Sequence, residues 1–323
     1  MHLNEPITFT PLFMERLWGG RQLEKILKIP LPSSAPIGEL WTLVDRQEAQ
    51  SIVNHGTLRG KSLHDLWTKY RLEVFGVAHA NNSSPQFPLL CKLLDASEVL
   101  SVQVHPPERQ AALLKGEAKT ECWYILEATP EATIYAGLRR GVTKEIFRNA
   151  LEEGTVEKLL HKLPVKSGDS IFIPSGRLHA IGRGILLAEI QQNSDTTYRI
   201  FDWNRRDANG QQRQLHLEES MSSIDFSDYE PSLSNDTSGI VADCPFFHAE
   251  KWVLEKPHRA TEQNSFSIFT CLTGKVACGS KIFSSGDFFL VPATMQEAII
   301  TPQARETSVL CTRLRASGEK LRY

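Results

Sequence analysis

The sequence has little of what marks a membrane, nucleic-acid or disulfide-framework protein. No apolar run in its 323 residues approaches the roughly 18–20 that span a bilayer. The opening stretch, MHLNEPITFTPLFMERLWGG, lacks the basic region and apolar core of a signal peptide. Charge of one sign is missing too: 36 Lys and Arg against 38 Asp and Glu leave a net charge of −2. There is therefore no basic excess to hold a phosphate backbone or an anionic lipid surface. Cysteine is sparse, with six in all (Cys91, Cys122, Cys244, Cys271, Cys278 and Cys311) and no Cys-x-x-Cys pair, so zinc-ribbon and thioredoxin-type readings find no support. Their apolar settings, as in PLLCKLL and IFTCLTG, read as buried free thiols in a reducing compartment, with the cytoplasm as the default. Neither GxGxxG nor a P-loop occurs, which leaves nucleotide cofactors without support.

What is present is a globular composition, 41% hydrophobic and 23% charged, in a chain long enough for about two domains. Helical spacing is confined to a few stretches. In residues 61–76, Leu63, Leu66, Trp67, Tyr70 and Val74 share one helical face. A shorter helix is predicted over 108–116, and residues 143–163 read as two helices broken at Gly154 and opened by Thr143 and Thr155. The remainder reads as short β-branched and aromatic strands bounded by turn residues, the pattern of an antiparallel sandwich or barrel. Residues 220–243, rich in Ser, Asp and Asn, read as a linker. On either side of it the pattern S-G-D-x-apolar-apolar-apolar-P occurs once, at 167–174 and at 285–292, and suggests two copies of one β unit. Only the first copy runs on to a histidine, His179.

Most of the ten histidines lie in polar segments. His105 and His179 differ. In SVQVHPP, period-two geometry puts Gln103 and His105 on one sheet face and Val102 and Val104 on the other. A polar pair on an apolar strand is costly to bury unless it is partnered or binds something. With Glu121 opening the strand ECWYIL, two imidazoles, a carboxylate and a weaker oxygen donor form a sound metal-ligand set. It suits zinc, and less selectively iron, manganese or cobalt.

These residues resemble a known superfamily. The spacing of Gly168, Pro174, Gly176 and His179 matches the second cupin motif, and Gln103, His105 and Glu121 look like the first with Gln in place of its leading His. More specifically, the chain resembles the type I mannose-6-phosphate isomerases in their short bacterial form. The matching pieces are LWGG from Leu17, IGELW from Ile37, PLLCKLLD from Pro88, SVQVHPP from Ser101, KTECWY from Lys119, HAIG from His179 and SDTTYRIFDW from Ser194. The one departure, Leu where the family often has Ser in IGELW, touches no site residue. The resemblance implies a mainly β fold of two cupin-type (jelly-roll) barrels. The first, over 1–230, carries short helical insertions and the site; the second, over 231–323, is a degenerate copy. It further implies one zinc per chain held by Gln103, His105, Glu121 and His179. Arg199 falls at the catalytic arginine, and Ser101, Lys92 and Lys119 fall at positions lining a sugar-phosphate pocket.

The implied reaction, interconversion of D-mannose 6-phosphate and D-fructose 6-phosphate, moves a proton between C1 and C2 through an enediol. It calls for an electrophile at the oxygens, which zinc can supply, and for a forked cation such as Arg199. A base must carry the proton, and Glu189 and Lys119 are the two candidates. Taken alone, Lys92 could instead pair with Asp95, and Asp195 could orient Arg199 or cap a turn. The expected partner is a small-molecule sugar phosphate, with neither nucleic acid nor membrane, for a monomer or weak homodimer. Two alternatives stand beside this reading: another metal-dependent cupin enzyme such as an iron dioxygenase, and a non-catalytic sugar-phosphate-binding cupin.

Overall fold

Antiparallel pairing of short strands organises the chain into four sheets. The computed structural model describes residues 3–206, 210–234 and 238–316. In the first half the strands are β1 (Leu12–Gly20), β2 (Ile37–Leu43), β3 (Leu89–Ala96), β4 (Val102–Val104), β5 (Glu121–Ala128), β6 (Thr133–Leu138), β7 (Leu160–Pro164), β8 (Ser170–Ile173), β9 (His179–Ile181), β10 (Ile185–Gln192) and β11 (Tyr198–Phe201). One sheet has the order β1-β2-β3-β10-β5-β8 and the other β11-β4-β9-β6-β7. The Trp123 ring of β5 stands edge-on to the His179 ring of β9, centroids 5.4 Å apart, so the two sheets pack face to face.

The second half repeats the plan. Its strands are β12 (Ile240–Asp243), β13 (Phe247–Val253), β14 (His258–Arg259), β15 (Ser267–Thr273), β16 (Lys275–Cys278), β17 (Lys281–Ser284), β18 (Phe288–Val291), β19 (Ile299–Pro302) and β20 (Ser308–Leu314). They form sheets of order β12-β13-β20-β15-β18 and β14-β19-β16-β17. The duplicated sequence pattern feeds β8 in one half and β18 in the other, and each is the last strand of its sheet. In both copies a glycine with positive φ, Gly168 at 92° and Gly286 at 90°, makes the turn. In both, the following aspartate accepts the amide three residues back: Asp169 from Lys166 at 2.9 Å and Asp287 from Ser284 at 2.7 Å. The expectation of a mainly β chain of two cupin-type units therefore holds. The halves share a core in which Leu93, Ile190, Phe75 and Phe87 pack with Phe247, Phe266 and Leu310. Near the N-terminus, Ile7 bridges to Leu290.

Two local expectations are corrected. The helix read over 61–76 is split at Tyr70, whose φ of −123° leaves the helical region, into α2 (Leu63–Lys69) and α3 (Arg71–Val74); α1 is the short Gln22–Lys25. A capping box, Ser62 with Asp65, starts α2. The helix at 108–116 appears as α4 (Glu108–Leu113), and α5 (Lys144–Glu152) begins at Thr143, whose hydroxyl accepts the Ile146 amide. The second helix of 143–163 does not form. After a 3-10 turn at Val156–Leu159 the chain becomes strand β7, because pairing with β6 offers a backbone ladder that a short isolated helix cannot match. The stretch read as a linker, 220–243, is overlapped at its ends by α6 (Leu217–Ser223) and β12, and Met221, Ile224 and Phe226 pack into the apolar core beneath β11; its residues 235–237 lie outside the described residues.

Candidate active site

Two rows of side chains face each other between the sheets of the first half. Cross-strand register puts Trp41, Lys92, Glu189, Trp123 and Ile171 in line across β2, β3, β10, β5 and β8. Opposite them Arg199, Gln103, His179 and Ala136 line up across β11, β4, β9 and β6. On β4 the alternation is as expected, with Val102 and Val104 buried in the apolar core on the far side. On β1, Gly19 lets β2 come close: a Cβ there would sit 2.4 Å from the Gly38 amide nitrogen. The adjoining Trp18 thereby lines the cavity between the rows.

That cavity, of about 360 Å³, is lined by Ser101, Gln103, Lys92, Lys119, Glu189 and Arg199 among the predicted residues, together with Arg16, Trp18, Glu39, Trp123, Asp195 and Arg213. His105, Glu121 and His179 do not line it; they are buried behind Gln103, Lys119 and Trp123, which do, with their candidate ligand atoms all within 4.8 Å of one another. Glu121 Oε2 lies 3.4 Å from His105 Nε2, and Oε1 lies 3.6 Å from His179 Nε2. Each imidazole turns its other nitrogen to a main-chain carbonyl, His105 Nδ1 to Thr196 at 2.9 Å and His179 Nδ1 to Arg177 at 2.9 Å. Donation there fixes the tautomer and leaves both Nε2 lone pairs aimed at one point. His105 Nε2 is buried without a hydrogen-bond partner. Gln103 Nε2 approaches His179 Nε2 to 3.3 Å, and exchanging the amide N and O would present Oε1 to the same point. An orphaned lone pair beside a second imidazole, a carboxylate and an amide is the donor chemistry of a divalent metal site, and these residues fit one.

Electrostatics follows from burial and from the cations. Burial and the nearby Lys119 ammonium push His105 down to about 3, and burial likewise lowers His179. Burial alone would raise Glu121, but Lys119, 3.0 Å away, and the two imidazoles outweigh it and hold the carboxyl well below its usual range. Glu189 goes the other way, raised by burial and by the charge of Glu121. Its Oε1 accepts from Trp123 Nε1 at 2.9 Å, while Lys92 lies 2.9 Å from Oε2. Lys92 is raised despite burial because Glu189 and Glu39 flank it. Arg199 is lowered by burial and by Arg213. Among the described residues Arg199 makes no ion pair. Its Nε donates to Ser101 Oγ at 3.1 Å and its Nη1 to the Gln214 carbonyl at 3.0 Å.

Two readings of single residues are corrected. Lys92 does not pair with Asp95, which accepts instead from the backbone and side chain of Gln22; three residues apart on one strand, the two side chains leave opposite faces. Asp195 does not hold Arg199. Sequence reasoning missed Arg16, Glu39 and Arg213. A carboxylate in the buried run IGELW was the available signal for Glu39, which accepts from Trp41 Nε1 at 2.6 Å and Arg16 Nε at 3.1 Å. Arg213 lies in a polar segment that gives no such signal; its guanidinium is held by both oxygens of Asp202 at 2.6 and 2.7 Å.

Comparison with known proteins gives this arrangement a family. The phosphomannose isomerase type I catalytic domain matches residues 7–153. The mannose-6-phosphate isomerase ManA of Bacillus subtilis is 37% identical over 306 residues, covering 91% of this chain and 95% of its own. The chain belongs to the type I phosphomannose isomerases. Another relative, the mannose-6-phosphate isomerase of Streptococcus mutans, is 35% identical over 303 residues and spans 90% of this chain and 94% of its own. The crystal structure of the Bacillus subtilis mannose 6-phosphate isomerase superposes with a TM-score of 0.83 at 31% identity, covering 96% of this chain and 99% of that one. Membership in this phosphomannose isomerase family makes the chain an aldose-ketose isomerase by class and the lined cavity its candidate active site. No helix among the described residues is long and apolar enough to cross a membrane.

Proposed function

We propose that this phosphomannose isomerase interconverts D-mannose 6-phosphate and D-fructose 6-phosphate in the cavity between β4 and β10, with residues 1–230 as the catalytic unit and 231–323 as a degenerate copy. His105, Glu121 and His179, joined by Gln103, would hold one zinc ion. The observation that carries the reading is the pair of Nε2 lone pairs and the Glu121 carboxylate, buried together behind the Gln103, Lys119 and Trp123 side chains of a cavity bordered by cations. When bound, the zinc supplies an electrophile for the sugar's hydroxyl and carbonyl oxygens.

The protein's own residues supply the rest. Lys92 is engaged by two carboxylates and Lys119 by one, so Arg199 is the cation left to meet an anion; Ser101 and Arg213 stand beside it for the sugar phosphate. Arg199 also offers forked N–H donors to the negative charge that grows on oxygen along an enediol path. Glu189 carries the proton between C1 and C2. A carboxyl raised by burial is nearer the operating pH than an ordinary one, and its contacts to Trp123 and Lys92 fix its direction. Lys119, committed to Glu121, orients that carboxylate. The cytoplasm, where sugar phosphates are held, is the proposed compartment.

A coupled assay with mannose 6-phosphate on protein of known metal content tests this. Turnover that disappears on chelation and returns with zinc supports it. Absence of turnover in zinc-loaded protein overturns the substrate, and oxygen consumption by an iron-bound form favours the dioxygenase alternative.

A further inference from the structure

Both buried imidazoles, His105 and His179, depend on main-chain carbonyls, and each carbonyl belongs to a turn fastened from outside the cavity by an arginine and a carboxylate. For His105 the turn is 193–196. Glu117 is bound to it three times: its amide donates to Thr196 Oγ1 at 3.0 Å, its carbonyl accepts from Ser194 Oγ at 3.2 Å, and its carboxylate accepts from the Asp195 amide at 3.4 Å. Arg46 closes the assembly from β2's end of the molecule, with Nη1 2.8 Å from Glu117 Oε2 and 3.1 Å from the Asn193 carbonyl, and with Nε on Glu48. For His179 the turn is 174–177. Arg177, whose carbonyl accepts a hydrogen bond from His179 Nδ1, has its own guanidinium held by both oxygens of Asp228 at 2.8 Å, and it donates to the Phe172 carbonyl at 2.6 Å. The 174–177 turn also reaches the backbone of the other imidazole, since the Gly176 amide donates to the His105 carbonyl at 2.8 Å.

We infer that Arg46–Glu117 and Arg177–Asp228 are paired clamps that set the tautomer and aim of the two imidazoles, and thereby the affinity of the site for its metal. None of the four side chains lines the cavity or belongs to the proposed ligand set. They are positioning residues. The Arg46–Glu117 pair is too exposed on the Glu117 side, at 48%, to add much stability as an ion pair. Its effect is geometric: it fixes the turn whose Thr196 carbonyl keeps the proton on His105 Nδ1. The inference rests on the metal reading above, and its test separates the two.

The probe is Co2+, added to metal-free protein and followed by its d–d absorption, with side-chain 1H–15N correlation of the histidines in the metal-free state. Each clamp variant that keeps the wild-type fold, Arg46→Ala and Asp228→Asn, is expected to weaken cobalt binding about tenfold, the lower end of the effect of outer-shell partners. Without metal, Arg46→Ala is expected to put His105 into mixed tautomers while His179 stays Nδ1–H, and Asp228→Asn to do the reverse. Arg46→Lys, which keeps a cation at Glu117, is expected to recover part of the loss. Glu117→Gln repeats the His105 arm at a half-exposed position where the fold is not at risk. Unchanged tautomers and unchanged cobalt affinity in these folded variants overturn the clamps. If wild-type protein takes up no cobalt, the metal reading fails instead, and the tautomers of the metal-free variants still decide for or against the clamps.

Discussion

Glu189 is buried in the middle of a sheet, a place where a carboxylate survives only with partners, and it has two: the Trp123 indole and the Lys92 ammonium. If it carries the proton, Glu189→Gln keeps the shape and the Trp123 contact but removes the base. Turnover is then expected to fall by about 10²–10⁴-fold while bound metal stays at the wild-type level, and solvent deuterium should no longer enter C2. Wild-type exchange in that variant would return the role to Lys119. Arg199→Ala is expected to bind metal normally and lose turnover, read by metal analysis and kcat on the same sample. At this scale the sequence was informative wherever a polar residue interrupted an apolar alternation. Gln103 and His105 stand out because they alternate with Val102 and Val104, and the cavity does receive Gln103, while His105 is buried beside Glu121 and His179. Arg213 was illegible because a cation in a polar stretch looks like any solvated arginine; only the fold brings it beside Arg199. The ion pairing of Lys92 was misread for a related reason: sequence proximity favoured Asp95, whereas the sheet sends Asp95 to the opposite face.

Two threonines with the same look in the sequence make different elements. Thr143 caps α5, accepting the Ile146 amide at 3.2 Å, while Thr155 has no side-chain cap contact and precedes a 3-10 turn. Thr143→Ala is expected to cost about 1 kcal/mol of unfolding free energy and Thr155→Ala distinctly less, measured by denaturant titration. The strand β7 was hidden because its five residues gain their order from β6, a partner no local pattern announces. Between β13 and β20, Glu250 makes a further test. His248 and, despite partial burial, the Arg313 side chain 3.3 Å away hold its carboxyl down to about 2, against an ordinary value of 4.5. Because the folded value is the lower, this contribution to stability is full above about pH 4.5 and is lost as pH falls toward 2. Urea melts at pH 6 and pH 3 should therefore differ less in Glu250→Gln than in the wild type; an equal difference in both would remove Glu250 from the acid response.

Across the whole molecule the same strand order is used twice with different contents. Counting from the shared Gly-Asp turns, Ser267 pairs with Val291 where Glu121 pairs with Ile173, and Phe269 pairs with Phe289 and Cys311 where Trp123 pairs with Ile171 and Glu189. Both carboxylates of the first half are thus replaced by a small or apolar side chain in the second, whose interior is filled by stacked Phe283 and Phe289. The duplication was legible from eight residues because a turn that needs positive φ and a capping aspartate leaves a fixed sequence trace. The scarcity of helix was legible too, from the shortness of the apolar runs. The near-neutral net charge is consistent with a site that offsets its cations with buried carboxylates, Lys92 with Glu189 and Lys119 with Glu121. The claim at the centre is that turnover of mannose 6-phosphate requires a metal held by His105, Glu121 and His179. Its most direct test is kcat with mannose 6-phosphate plotted against zinc content, from exhaustively chelated to reloaded protein. A line through the origin that saturates at one zinc per chain is the predicted result; full turnover by the chelated, metal-free protein would contradict it.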